Sequence, residues 1–133
     1  TQPIMMRLNS SLADLCLAAL DGALDTTRAD WDPRPALGVV LAAGGYPDAY
    51  RKGDAIDGLD GADSDTVKVF HAGTRDEAGR AVTSGGRVLC VTALGDTVAQ
   101  AQARAYQAVQ GIHWEGAYHR TDIGYRAVSR EQS

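Results

Sequence analysis

The stretch that most constrains the fold is TSGGRVLCVTALG, residues 83–95. It opens on the flexible pair Gly85-Gly86 and places Arg87 at the mouth of an apolar run, Val88, Leu89, Cys90 and Val91. Gly95-Asp96 then turns the chain into helix-forming sequence. A run this apolar is a buried strand, so the remaining elements must supply its cover. Strict alternation puts Arg87, Leu89, Val91 and Ala93 on one face, with Val88, Cys90, Thr92 and Leu94 on the other.

The size of that cover is bounded by the length. A chain of 133 residues makes one domain, with room for a short piece of another. Fifteen glycines and a single phenylalanine predict many turns around a core of Val, Leu and Ala. The net charge of -4 argues against non-specific nucleic-acid binding, which needs a basic surface. No apolar run approaches the roughly 20 residues of a membrane span. Cys16 and Cys90 sit in the apolar settings LADLCLAAL and RVLCVTA, which favours two small buried hydrophobes over a disulfide or a reactive thiol. Two distant cysteines and the scattered His71, His113 and His119 do not gather four zinc ligands. The expected compartment is the cytosol. The opening TQPIMMRL has neither an initiator methionine nor a signal-peptide pattern and is expected to be mid-protein sequence, the start of the carboxy-terminal part of a longer polypeptide.

Along the chain, Ser11 with Asp14 forms a weak capping box, and Leu12, Leu15, Cys16, Ala19 and Leu20 recur at helical spacing up to Gly22. This predicts a helix over 11–20, with Leu17 widening its apolar face. Residues 25–35 are a linker, stiffened by Pro33 and Pro35, with Trp31 docking it onto the domain surface. ALGVVLAA at 36–43 is a strand covered on both faces, ended by Gly44-Gly45. Ile56 and Leu59 lie in a short paired segment. Residues 67–72 alternate as a strand, Asp76-Glu77-Ala78-Gly79 is a hairpin tip, and 81–83 return. Asp96 is the expected N-cap of the main helix, over 96–110, and Gly111 its stop. Asp122-Ile123-Gly124-Tyr125 feeds a final strand or short helix, and the last five residues are expected to fray.

Little chemistry is declared by the residues themselves. There is no P-loop, GxSxG elbow or HExxH. Gly85-Gly86-Arg87 offers backbone N–H groups and a guanidinium to an anion, against the plainer reading of a hairpin turn and a surface arginine. His71 fits a hydrogen-bonded core or edge histidine better than a base. Asp60, Asp63 and Asp65 lack the spacing of an EF-hand and are expected to be solvated.

Five runs stand together: TQPIMMRLNSSLADLCLAAL, WDPRPALGVVLAAGGYPDAYRKGD, VFHAGT, TSGGRVLCVTALGDTVAQA and HRTDIGYRAV. Jointly and in this order they resemble the carboxy-terminal region of the phosphoribosylamine–glycine ligase (glycinamide ribonucleotide synthetase) family of ATP-grasp enzymes. The resemblance implies an α+β fold: a small β-rich, barrel-like hybrid-motif domain with one main helix, preceded by the last helix of an ATP-grasp unit. It divides the chain into the end of that unit (1–25), a linker (26–35) and the carboxy-terminal domain (36–133).

The same resemblance implies an ATP- and Mg-dependent ligase of purine synthesis. ATP phosphorylates glycine to an acyl phosphate, and the amine of 5-phosphoribosylamine attacks it to give glycinamide ribonucleotide. The family's magnesium ligands, in an EFN run, and its nucleotide-binding lysines lie upstream of the segment present here. No catalytic or metal-binding residue is therefore expected in this chain, and Asn9 belongs to a helix start. By itself the chain is expected to be inactive, its partners being the upstream domains and small-molecule substrates. By analogy with related enzymes, Gly85, Gly86 and Arg87 are the candidates for touching substrate. The rival expectations are a non-catalytic interaction module and the same domain of another ATP-grasp ligase.

Overall fold

The computed structural model describes residues 1–132. Its centre is a three-stranded antiparallel sheet. β5 (Arg87–Leu94) lies between β1 (Ala36–Ala42) and β2 (Val67–His71). Leu89, Val91 and Ala93 of β5 pair with Leu41, Val39 and Leu37 of β1, and Val91 and Ala93 pair with Val69 and Val67 of β2. These residues form one apolar face, and α3 (Val98–Val109) covers it with Ala101, Ala105 and Val109. Alanine on the helix stripe lets the helix approach the β-branched residues of the sheet closely. As expected, the apolar run of β5 is the buried middle of the molecule: Val88, Leu89 and Val91 are fully inaccessible.

The opposite face is covered by a helix that the periodicity does not reveal. α1 (Gln2–Arg7) carries Pro3 in its first turn and packs against β1 and β5. A Cβ added to Gly38 would meet Pro3 Cγ at 3.3 Å and Cys90 Sγ at 3.0 Å, so the glycine makes the space into which the helix settles. With only six residues, α1 has too short a pattern to show amphipathicity, and tertiary packing forms it. Cover on this face is incomplete. Val40 is 40% exposed, so β1 is not the doubly buried strand that its apolar run predicts.

β3 (Thr74–Glu77) and β4 (Arg80–Thr83) form the expected hairpin, turning through Ala78 and Gly79 at φ 53° and 83°. This hairpin is a separate two-stranded sheet. Among the described residues the strands do not close on themselves, so the molecule is a small α+β domain of two open antiparallel sheets and not the expected barrel-like domain. The segment at Ile56 is paired as expected, with Ala55 bridging Val82 and Asp57 bridging His113.

α2 (Leu12–Leu20) begins at Ser11, whose hydroxyl accepts from the Asp14 N–H at 3.2 Å, as the capping box predicts. None of its residues is buried. Cys16 is exposed, contrary to expectation, because the described residues bury no residue of this helix and cover Leu15 and Ala18 only in part. Trp31 lies beside α1: it bridges Leu8 and lines a groove with Pro3, Ile4 and Arg7. The N-cap of α3 is Thr97, one residue later than expected, and its side chain accepts from the Gln100 N–H at 3.1 Å. The tail does not simply fray. α4 (Tyr125–Glu131) follows Gly124, and the Glu131 carboxylate accepts from the Val98 and Ala99 N–H groups at 2.7 and 3.2 Å, capping α3 from another element. The final residue of the predicted frayed end, Ser133, lies outside the described residues.

Candidate functional site

The geometry around Arg87 begins with a β-bulge. Leu41 pairs with Leu89, but the next residue, Ala42, pairs with Arg87, leaving Val88 as an extra residue in β5. The bulge changes which way Arg87 faces. Strict alternation places it with Leu89 and Val91 on the core face, where an unpaired guanidinium would be costly. The extra residue moves it to the face of Gly38, Val40 and Ala42. Re-aiming one side chain at a strand end is what a bulge does physically. The sequence signal for it is weak, since Val88 is as apolar as its neighbours.

Arg87 lines a pocket of about 230 Å³ with Gly38, Val40, Ala42, Tyr46, Tyr118, Arg120 and Ile123. Four segments meet there. β1 supplies the floor, and the loop after it supplies Tyr46. The start of β5 supplies Arg87. Residues 118–123 form the far wall, held to β1 by two backbone hydrogen bonds between Ala42 and Tyr118, at 2.8 and 2.9 Å. Arg87 is exposed, and among the described residues its side chain makes no salt bridge or hydrogen bond. Most other arginines here are engaged. Arg34 is tied to Asp32, Arg51 to Asp54 and Glu115, Arg75 to Glu77, and Arg80 to Asp57. An unengaged guanidinium beside an apolar pocket can bind an anionic group bidentately.

The neighbouring glycines have separate roles. The Gly85 N–H donates to the Gly73 carbonyl at 3.1 Å, as does that of Ser84 at 2.7 Å, so these donors close the loop on itself. The Gly86 carbonyl accepts from the Ala43 N–H at 2.8 Å. Gly86 itself is buried beneath two aromatic rings: an added Cβ would run into Tyr46 and stand 3.0 Å from Tyr50 Cε1. Of the three residues singled out in the sequence, only Arg87 presents a polar side chain to the pocket. Tyr46, Tyr118, Arg120 and Ile123 were not legible as partners. They lie 41 residues before it, or 31 to 36 after it, in sequence, and the Ala42–Tyr118 pairing helps bring the last segment to β1.

Residues 36–126 match the family model described as Phosphoribosylglycinamide synthetase, C domain. The chain belongs to that family. Every residue lining the Arg87 pocket lies inside the match, whereas α1, α2 and residues 26–35 precede it. The chain is 63% identical over 133 residues to the phosphoribosylamine–glycine ligase of Allochromatium vinosum, covering 100% of this chain and 31% of that protein. It is 60% identical over 132 residues to the enzyme of the same name from Vibrio vulnificus, covering 99% of this chain and 31% of that one. The crystal structure of phosphoribosylamine–glycine ligase from Thermotoga maritima superposes with a TM-score of 0.64 at 37% identity, over 80% of this chain and 26% of that one. The chain thus spans about a third of the length of the relatives it matches. Among the described residues, this phosphoribosylglycinamide synthetase C domain has no group of three His, Cys, Asp or Glu side chains placed to hold a metal. Its polar equipment suits binding and orientation. Among the described residues no helix is long and apolar enough to cross a membrane.

Proposed function

We propose that this chain is the carboxy-terminal part of a cytoplasmic, ATP-grasp phosphoribosylamine–glycine ligase. The complete polypeptide joins glycine to 5-phosphoribosylamine, giving glycinamide ribonucleotide, ADP and phosphate in purine biosynthesis. The names and high identity of the relatives support this reading. ATP, with Mg, supplies the phosphoryl group that activates the glycine carboxylate, and the residues that hold both belong to the upstream part of the polypeptide. The chain alone is inactive.

In this reading residues 1–25 end the ATP-grasp unit, 26–35 link, and 36–133 form a domain that walls the active site. The support for the first assignment is α2, which leaves Leu12, Leu17 and Leu20 49%, 58% and 83% exposed. Such a stripe is the kind that packs on neighbouring structure. The wall excludes water, which would otherwise consume the activated glycine. Arg87 receives the phosphate of phosphoribosylamine, with Gly85 and Gly86 shaping the turn that presents it.

The observation that carries this role is the bulge, which turns an unengaged guanidinium toward an apolar pocket. Arg87→Ala in the complete ligase is expected to raise KM for phosphoribosylamine roughly tenfold or more, the loss of one charge-assisted contact, with KM for ATP and glycine unchanged. Unchanged kinetics toward phosphoribosylamine would reduce Arg87 to a surface residue.

A further inference from the structure

The pocket holds a second guanidinium, and it is the more firmly placed of the two. Arg120 stands on the wall opposite the β1 floor, in a segment whose backbone is fixed from α3. Tyr106 Oη donates to the Arg120 carbonyl at 2.7 Å and accepts from the Ile123 N–H at 3.0 Å. Gln102 Nε2 donates to the Ile123 carbonyl at 2.7 Å. Its side chain is oriented in turn: Nε donates to Asp122 Oδ1 at 2.8 Å and Nη2 to Asp122 Oδ2 at 2.7 Å. This fork occupies one edge of the guanidinium and leaves Nη1 and the second Nη2 hydrogen available. Asp122 is correspondingly held below its ordinary range by the hydrogen bond from Arg120. Ile123 packs against the core, whereas Arg120 and Asp122 are both exposed, so the segment is anchored while its charged pair stays accessible.

We propose that Arg120 is a second phosphate-binding residue of this pocket, held in place by Asp122, and that it grips the anionic end of the phosphorylated sugar together with Arg87. The inference rests on the reading of Arg87 as a phosphate contact and extends it to a two-arginine clamp. The two residues are complementary. Arg87 is unengaged and free to adjust, whereas Arg120 is pre-oriented and loses little side-chain freedom when it binds. Val40, Ala42, Tyr46, Tyr118 and Ile123 make the pocket apolar, so ligand entry displaces water from around the phosphate contacts and strengthens them. Asp122 orients without touching the ligand. Its charge offsets part of that of Arg120, so the pocket attracts an anion chiefly through Arg87 and fixes its position through Arg120.

A phosphate could reach such a clamp on the sugar or on the nucleotide, and the test separates them. The probes are glycinamide ribonucleotide and ADP, titrated calorimetrically into the complete ligase as wild type, Arg87→Ala, Arg120→Gln, Arg120→Lys and Asp122→Asn. Arg120→Gln is expected to weaken glycinamide ribonucleotide roughly tenfold, the loss of one charge-assisted contact, and to leave ADP unchanged. Arg120→Lys keeps the charge but loses the fork, and it should recover part of the loss. Asp122→Asn leaves Arg120 charged but unlatched and should weaken glycinamide ribonucleotide about threefold, the lost orientation outweighing the removal of a neighbouring negative charge. It also keeps the test decisive where Arg120→Gln does not fold, since unchanged affinity in Asp122→Asn then overturns the clamp. If Arg120→Gln binds glycinamide ribonucleotide like wild type while Arg87→Ala does not, the clamp falls and the Arg87 reading stands. If both variants bind like wild type, both readings fall. An equal loss for ADP also overturns the proposal, because the site would then not select the sugar phosphate.

Discussion

Gly86 lies directly beneath the ring of Tyr46, so closely that the backbone there has no room for a single added carbon. The contact joins the loop that follows β1 to the turn that precedes β5, next to the Arg87 pocket. Neither segment has regular structure of its own to fix the other. The glycine and the tyrosine are therefore a matched pair, and the position of Arg87 depends on it.

Gly86→Ala is accordingly expected to destabilise the protein by roughly 1–3 kcal/mol, the usual cost of overpacking a filled site. The backbone tolerates alanine, so the loss comes from the ring and not from strain. Tyr46→Ala in the same molecule should restore part of it. Urea melts of both single variants and the double variant would show this as non-additivity, and strictly additive losses would mean that the two residues do not meet.

The start of α3 gives a second expectation. Thr97→Ala removes the hydroxyl that accepts from Gln100 N and should cost about 1 kcal/mol, as for other N-caps. Glu131→Gln keeps an acceptor near Val98 and Ala99 but removes the charge, so its smaller loss should shrink further as salt is added. Denaturant midpoints at low and high salt test both. A Glu131 effect independent of salt would point to packing of α4 and not to its carboxylate.

The Asp32–Arg34 pair has its own pH dependence. Asp32 accepts from the Arg34 backbone N–H and side chain at 2.6 to 3.2 Å, and the Arg34 guanidinium is the main reason that its carboxyl falls from 3.8 to about 2. Because the folded value lies below the ordinary one, the carboxylate contributes stability in full above about pH 4. That contribution fades as the pH falls through 2, where the folded form also takes up the proton. The stability difference between wild type and Asp32→Asn should therefore be constant from pH 7 to 5 and close between pH 4 and 2. A difference that stays constant down to pH 2 would mean the pair is not formed in solution.

Most of the central architecture was legible because it is local. The apolar run of β5, the Ala78-Gly79 hairpin tip and the Ser11 cap each depend on neighbours within a few residues. α1 and α4 were harder to see. Both are short, and α1 exists because Gly38 leaves space for Pro3, a contact 35 residues apart in sequence. Cys16 misleads for the opposite reason: α2 carries a buried-type sequence, but the described residues bury none of it.

By itself, the sequence determined a buried apolar strand, the elements that flank it and a cation beside a glycine pair. It determined these because periodicity, capping and turn chemistry act over a few residues. Tertiary structure alone decided where that cation points. Backbone pairing inserted Val88 as an extra residue, turned Arg87 away from Leu89 and Val91, and brought Tyr46, Tyr118 and Arg120 to it from distant parts of the chain. The register of one strand against another is set by packing on both of its faces at once, and no single segment encodes that alone.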